Sequence, residues 1–277
     1  MVTPMHRRAP LAIARAAALL AALALPAFAG NYRWTTSGPE PGTIFQIVVD
    51  PQNSNRLAAV SGFYGSMVFW SSDRGMTWAQ DEQLLVAQRL VPDPENGEVL
   101  YAIGSTGAVS GVLKTSNGGA PWTNASSGLP ASANLQGLAL APSSPSVLYV
   151  AAVGLPGQFF RSSDGGASWS LQSSAFSASY VADVEVDPTN ASVIYAAVGY
   201  PAGVLKSTDA GVTWSAPGTL PTATRIVIDP SSPSTVYVGT SDSGVSKSTD
   251  GGAHWTPANV GIETASIRDI ARDPMNP

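Results

Sequence analysis

The sequence has no cysteine, two histidines and only 12% charged residues in a chain of 277. Without cysteine there is no disulfide framework, no thiolate metal site and no thiol nucleophile. His6 lies in the N-terminal leader and His254 inside a repeated turn, which argues against both a Ser-His-Asp centre and a histidine zinc site. No metal and no cofactor are expected. Basic charge is scarce as well: 14 Lys+Arg stand against 19 Asp+Glu, a formal net charge of −5. That balance argues against a nucleic-acid partner and against an anionic membrane surface. Neither a phosphate-binding G-x-x-x-x-G-K-[ST] loop nor a dinucleotide fingerprint occurs. What is abundant is apolar surface (44%), Gly (27) and Pro (22). A chain of this composition buries enough surface to offset the cost of ordering, so it is not disordered.

Residues 1–29 have a character of their own. Arg7, Arg8 and Arg15 precede or enter an apolar stretch, Ala16 to Leu25, and Ala27-Phe28-Ala29 follows as a small-x-small site. That order predicts a secretory signal peptide cleaved after Ala29, and the stretch is well short of the ~20 residues that span a bilayer. Its removal takes away three Arg and no acid, so residues 30–277 carry 11 Lys+Arg against 19 Asp+Glu. The expectation is a bacterial protein, secreted or periplasmic, with no membrane span after the signal, and a monomer.

The rest of the chain repeats. An Asp or Asn sits five residues before a Trp, with Gly between them, at Asp73/Trp78, Asn117/Trp122, Asp164/Trp169, Asp209/Trp214 and Asp250/Trp255. The Trp-to-Trp steps are 44, 47, 45 and 41 residues. A second mark runs in phase: a proline closing an apolar run at Pro51, Pro94, Pro142, Pro188, Pro230 and Pro274, followed seven residues later by Tyr101, Tyr149, Tyr195 and Tyr237 in four repeats. Each unit reads as four short strands separated by Gly, Pro, Asn and Ser turns, with no helix and with the fourth strand beginning at the Trp. A repeat of ~40–45 residues with four strands predicts a β-propeller blade. The fold class is therefore all-β, with five full blades and two strands of a sixth: an orphan fourth strand near Tyr32–Trp34 and an orphan first strand at 266–273. On this arithmetic the ring lacks two strands, and the natural reading frame is expected to continue past Pro277.

The octad S-x-D-x-G-x-T-W, at Ser71–Trp78 and its four counterparts, resembles the Asp-box, or bacterial neuraminidase repeat. Together with the V-D-P-x-N-P-x-x-x-Y-A element it resembles the propellers of sialidases, xyloglucanase-type glycoside hydrolases, sortilin-like receptors and photosystem II assembly factors. The resemblance implies that the Asp-boxes lie on the face away from any active site. It gives the five acceptors a structural role, locking hairpins through turn amides, with the Gly two residues on supplying positive φ. Asn117 keeps an acceptor, whereas Pro121 and His254 replace the hydroxyl before Trp, so those two turns are expected to be less completely networked. The indoles of Trp78, Trp122, Trp169, Trp214 and Trp255 are all expected to pack between blades. Lys114, Arg161, Lys206 and Lys247, each just before a box, read as a solvated third-strand position.

One further position repeats without repeating its chemistry. Five residues before each proline stand Gln46, Arg89, Gly137, Asp183, Arg225 and Asp269, each followed by an apolar residue. Strand alternation would separate a polar, channel-directed position from a core position. Gln46, Arg89, Asp183, Arg225 and Asp269 are therefore the candidate binding residues at the channel mouth, on the face opposite the Asp-boxes, for a protein or carbohydrate ligand. Mutual neutralisation between adjacent blades, with solvation, is the plainer reading. Asp183 and Asp269 are the weak catalytic candidates, with Glu185, Asp81, Glu82 and Glu263 as further carboxyl groups a glycosidase would need in pairs. No hydrolase pattern surrounds them, and the F/Y-R-I-P element of a sialidase is missing. The first expectation is a secreted, non-catalytic propeller that binds a protein or glycan. The alternatives are a sialidase- or xyloglucanase-type hydrolase with an incomplete catalytic part and a photosystem II assembly factor-like protein.

Overall fold

The computed structural model describes residues 43–271 except 63–66, 155, 177, 179, 200–201, 219 and 263–265. The expected signal peptide, the expected strand near Tyr32–Trp34 and Glu263 lie outside the described residues, as does the end of 266–273. Strands in the described part run in five antiparallel sheets, each formed by consecutive segments, and the architecture is a five-bladed β-propeller. Blade 1 occupies residues 43–80, blade 2 residues 86–124, blade 3 residues 134–176, blade 4 residues 181–215 and blade 5 residues 223–257. Blade 4 has three strands, and a single bridge between Lys206 and Ser215 stands in place of its fourth.

The sheets are held face to face by four apolar clusters, one per contact between successive blades. In the richest of these, Tyr149, Phe159 and Phe176 of blade 3 meet Val184, Val186 and Ile194 of blade 4. Trp214 closes this cluster edge-on, 4.7 Å from the Phe159 ring and 4.9 Å from Phe176. Short strands rich in β-branched and aromatic side chains suit this architecture because both faces of an inner sheet are covered. The outward face of blade 1 differs: Phe45 and Ile47 are 62% and 60% exposed. Across a gap of about 310 Å³ from them stand Arg268 and Asp269. Residues 266–271 follow blade 5 without a strand ladder, held by Ile267 N donating to Thr240 O at 2.9 Å and by Thr224 Oγ1 donating to Ile267 O at 2.6 Å.

The three octads that keep every residue of the pattern, the first, third and fourth, are closed by the same network. In the third, Ser162 Oγ donates to Asp164 Oδ1 (2.7 Å), Gly166 N to Ser162 Oγ (2.9 Å) and Ser168 N to Asp164 Oδ1 (2.9 Å), while Ser168 Oγ reaches Asp164 Oδ2 (2.5 Å). Gly166 has φ +83°, as the sequence implied. The residue between Asp and Gly is left-handed too, and two octads place non-glycine residues there, Arg74 (φ 63°) and Ala210 (φ 61°). The second octad is thinner, as expected: Thr115 Oγ1 bonds Gly119 O, and no side-chain bond of Asn117 joins it among the described residues. The fifth departs from expectation. His254 N donates to Asp250 Oδ1 (2.9 Å) and its Nδ1 lies 2.6 Å from Asp250 Oδ2, so the imidazole restores what the missing hydroxyl would have made.

The five octad tryptophans differ from expectation in two ways. None opens the fourth strand. Trp169 stands one residue before Ser170–Phe176 and Trp255 one residue before Thr256–Pro257, because the turn that the octad closes extends through the Trp. Nor do the indoles share one role. Trp169 is buried in the cluster between blades 2 and 3, and its Nε1 donates to Ala125 O at 2.7 Å, on the segment leaving blade 2. Trp122 is buried likewise between blades 1 and 2. Trp255 is only partly buried against the cluster between blades 4 and 5, and it donates to Pro217 O at 2.8 Å, on the segment leaving blade 4. Trp78 and Trp214 instead turn the N–H back on their own octads, to Gly75 O (3.1 Å) and Gly211 O (3.0 Å). An indole N–H removed from water takes whichever acceptor lies in reach. Trp169 and Trp255 find a carbonyl of the preceding blade's exit, Trp214 meets phenylalanine rings there, and Trp78 has no described blade before it.

The basic third-strand residues are not simply solvated, which corrects the reading from sequence. Lys114 Nζ stacks 5.1 Å from the Tyr101 ring centre and donates to Gly165 O of blade 3 (3.1 Å), the carbonyl that Tyr101 OH also reaches (3.0 Å). Lys206 and Tyr195 repeat this on Gly251 O of blade 5 at 2.7 and 3.0 Å. From blade 1, Arg56 substitutes by reaching Gly118 O at 3.4 Å. Tyr149 OH reaches Ala191 O of blade 4 at 2.7 Å. At Tyr101 and Tyr195 the tyrosine seven residues after the proline is thus half of a clamp on the next blade, and the cation is the other half.

Candidate functional site

The six inner-strand positions do not form a ring of equivalent side chains. Sheet register explains why. The pairing of inner and second strand shifts at Ile44/Gln46, Ala87/Arg89, Val181/Asp183 and Ala223/Arg225, and blade 3 shifts at its matching level. A bulge puts two consecutive residues where alternation allows one, so strict period-two reasoning fails there. Two neighbouring positions per blade can therefore reach towards the next blade.

Most of them do so as clasps. Gln46 Nε2 donates to Leu90 O and Leu90 N donates to Gln46 Oε1, both at 2.8 Å, pairing blade 1 to blade 2 as a strand would. Gln136 Oε1 accepts from Val181 N (2.8 Å), and Asp183 Oδ2 accepts from Ile226 N (3.0 Å). Gly137 is glycine because blade 4 comes too close for anything larger: a Cβ would lie 2.3 Å from Val184 Cγ2.

Asp183 is the hub of the charged residues. Its side chain is fully buried, and besides Ile226 N it takes Arg89 Nη2 and, at 3.4 Å, Arg225 Nη1 on Oδ1. Arg225 Nε lies 2.9 Å from Asp269 Oδ1. Neutralisation therefore links blades 4 and 5, and it also links blades 2 and 4, which are not neighbours in the chain. Solvation of Asp183, the other half of the plainer reading, does not occur. Arg89 and Arg225 side chains keep 13% and 23% exposure. Asp269 is exposed at 64%. The structure thus brings Arg89, Asp183, Arg225 and Asp269 together, and leaves Gln46 apart as a clasp between two backbones.

Glu185 joins this centre. Burial, and then the neighbouring Asp183 charge, push its carboxyl up to about 7, against the pull of Arg89 and Arg225. It borders a pocket of about 230 Å³ floored by Pro142, Pro188 and Pro230. The other carboxyl candidates fare differently. Asp81 is buried, and its four hydrogen bonds leave nothing for acid–base work: Trp70 Nε1 and Trp122 Nε1 on Oδ2, Gln83 N and Leu84 N on Oδ1, all at 2.9 Å. Glu82 beside it is exposed on the surface. Sequence reasoning missed the Asp81 staple; the signal for it was Trp70 standing where the other repeats have a cation.

No protein-family model and no curated protein matches the chain. Among solved structures it is similar to a GH74 enzyme of Niastella koreensis, at 23% identity and a TM-score of 0.61 over 77% of this chain and 38% of that one. It is also similar to an ancestral GH74 enzyme at 21% identity, with a TM-score of 0.65 over 84% of this chain and 34% of that one. The chain spans little more than a third of either enzyme's length, and at these identities the likeness carries the fold.

Proposed function

We propose that this chain is a secreted Asp-box propeller that binds a glycan or protein on its loop face without turning it over. The observation that carries the reading is the state of Asp183. A glycosidase needs one free carboxylate opposite a second carboxyl group, and the best-placed carboxylate at the centre is committed to an amide and two guanidinium groups. Its removal from water makes it a structural anion rather than a base or nucleophile. The fold likeness to GH74 enzymes supports a glycan-related role and is silent on turnover. A glycan array probed with the full chain, together with a panel of fluorogenic glycosides, tests the reading. Binding without hydrolysis is expected, and saturable hydrolysis overturns it.

Glu185 favours a second reading. A carboxyl held near neutrality beside an ionised one is what a general acid requires. If the panel reveals turnover, Glu185→Gln abolishes it under this reading, whereas a contaminating activity is unaffected.

A further inference from the structure

At four places a side chain near the bulge bonds the inner segment that follows it: Gln46 to Leu90, Gln136 to Val181, Asp183 to Ile226 and Thr224 to Ile267. Between blades 2 and 3 that clasp is absent among the described residues. Arg89 turns across the centre to Asp183 instead, and Gln88 stays exposed. A groove of about 220 Å³ opens at this junction, lined by Gln88, Asn134, Ser105, Ser110, Val86 and Leu135 among others. It lies at the end of the blades opposite the octads, beside the turn that joins the second and third strands of blade 2.

We infer that this groove is a subsite for one neutral pyranose ring. The inference rests on the proposed glycan-binding role and names where it resides. Four features carry it. The carboxamides of Gln88 and Asn134 are exposed and make no hydrogen bond among the described residues, so each offers both a donor and an acceptor, as vicinal sugar hydroxyls require. Val86 and Leu135 supply an aliphatic wall for the C–H face of a ring. No charged side chain lines the groove, which excludes an acidic sugar. The volume lies below the roughly 300–1,000 Å³ of pockets that enclose drug-sized ligands, room for one ring rather than a buried chain. Of the main-chain donors beside it, Leu85 N is bonded to Ser105 O and Leu135 N to Ala133 O, so neither is free to pair with an extended peptide.

Saturation-transfer NMR on the full chain, with methyl β-D-glucopyranoside, methyl β-D-galactopyranoside, sialyllactose and an Ala-Ser-rich decapeptide as probes, tests this. At least one neutral pyranoside is expected to receive saturation, and Gln88→Ala combined with Asn134→Ala is expected to weaken it about tenfold or more. Neither residue is part of a clasp, so the melting temperature should not move. Transfer that survives the double variant overturns the site, as does preference for sialyllactose or the peptide, or no transfer to either neutral probe. If the glycan array retains binding in the double variant, the subsite fails while the glycan-binding role stands. If wild type binds no glycan at all, the role fails with it.

Discussion

The octad face and the centre of the propeller are built from the same repeat, yet they differ in kind. On the octad face four turns close with one network, down to matching distances around Asp73, Asp164, Asp209 and Asp250. At the centre six equivalent positions carry four residue types and do different work: a double backbone clasp at Gln46, a close approach at Gly137, a triple acceptor at Asp183. The difference teaches that a repeat fixes what each blade does to itself, while what blades do to each other is settled interface by interface. The octad indoles straddle that line, with Trp78 bonded inside its own turn and Trp169 bonded to the blade before it.

The largest effect should come from the centre. Asp183→Ala leaves the Arg89 guanidinium and the Ile226 amide without their acceptor and Arg225 with Asp269 alone, and should cost about 3–5 kcal/mol in urea unfolding. A loss no larger than that of an octad aspartate would erase the contrast between the two regions. Next comes the clamp between blades 4 and 5. Lys206→Met removes a charged donor and its stacking on Tyr195 and should cost about 1–2 kcal/mol by the same measurement. A smaller effect of opposite sign is expected on the octad face, where Ala210→Gly relieves a left-handed backbone and should add about 0.5–1 kcal/mol. A neutral or destabilising result would mean that the turn has relaxed around alanine.

The two regions should also part company with pH. The Asp73, Asp164 and Asp209 carboxyls are held down at about 2, chiefly by the hydroxyls of Thr77, Ser168 and Thr213. Their contribution is complete above the unfolded value of about 4 and disappears as pH falls towards about 2. Glu185 runs the other way. Its folded value is raised from 4.5 to about 7, so its neutral form favours folding at low pH and the benefit fades as pH rises through about 7. In melting curves from pH 2 to 8, Glu185→Gln should flatten the slope between about pH 4.5 and 7 and leave the acid limb unchanged. A flattened acid limb would place Glu185 in the wrong region.

The same contrast decides what was legible in the sequence. Octads, proline turns and the blade count rest on contacts a few residues apart, so spacing alone exposes them. The clamps were half visible: Tyr101 and Tyr195 recur in phase, but their target is a carbonyl some 60 residues away with no side chain to mark it. The acceptors of Trp169 and Trp255 were hidden for the same reason, being backbone carbonyls at Ala125 and Pro217. The centre was visible as a set of positions and opaque as chemistry. The bulge breaks the alternation on which side-chain direction was argued, and the partner of Arg89 lies 94 residues on, in a blade that is not its neighbour. His254 was misjudged for a local reason, since an imidazole nitrogen at the right reach replaces a hydroxyl.

In every blade the octad is also tied to the turn between the first and second strands. Arg74 N donates to Asn55 O, Gly118 N to Glu98 O, Gly165 N to Ser146 O, Ala210 N to Ser192 O and Gly251 N to Ser234 O, at 2.7–3.0 Å. Both hairpin ends on that face are thereby welded into one stiff rim, blade by blade. The opposite ends share no weld common to all five blades among the described residues: Ser241 N donates to Thr222 O in blade 5 and Leu85 N to Ser105 O in blade 2, so loops there are tied less uniformly than the octad turns. On the proposed binding role, specificity in a molecule built this way changes by editing one rim while the other keeps the blades in shape.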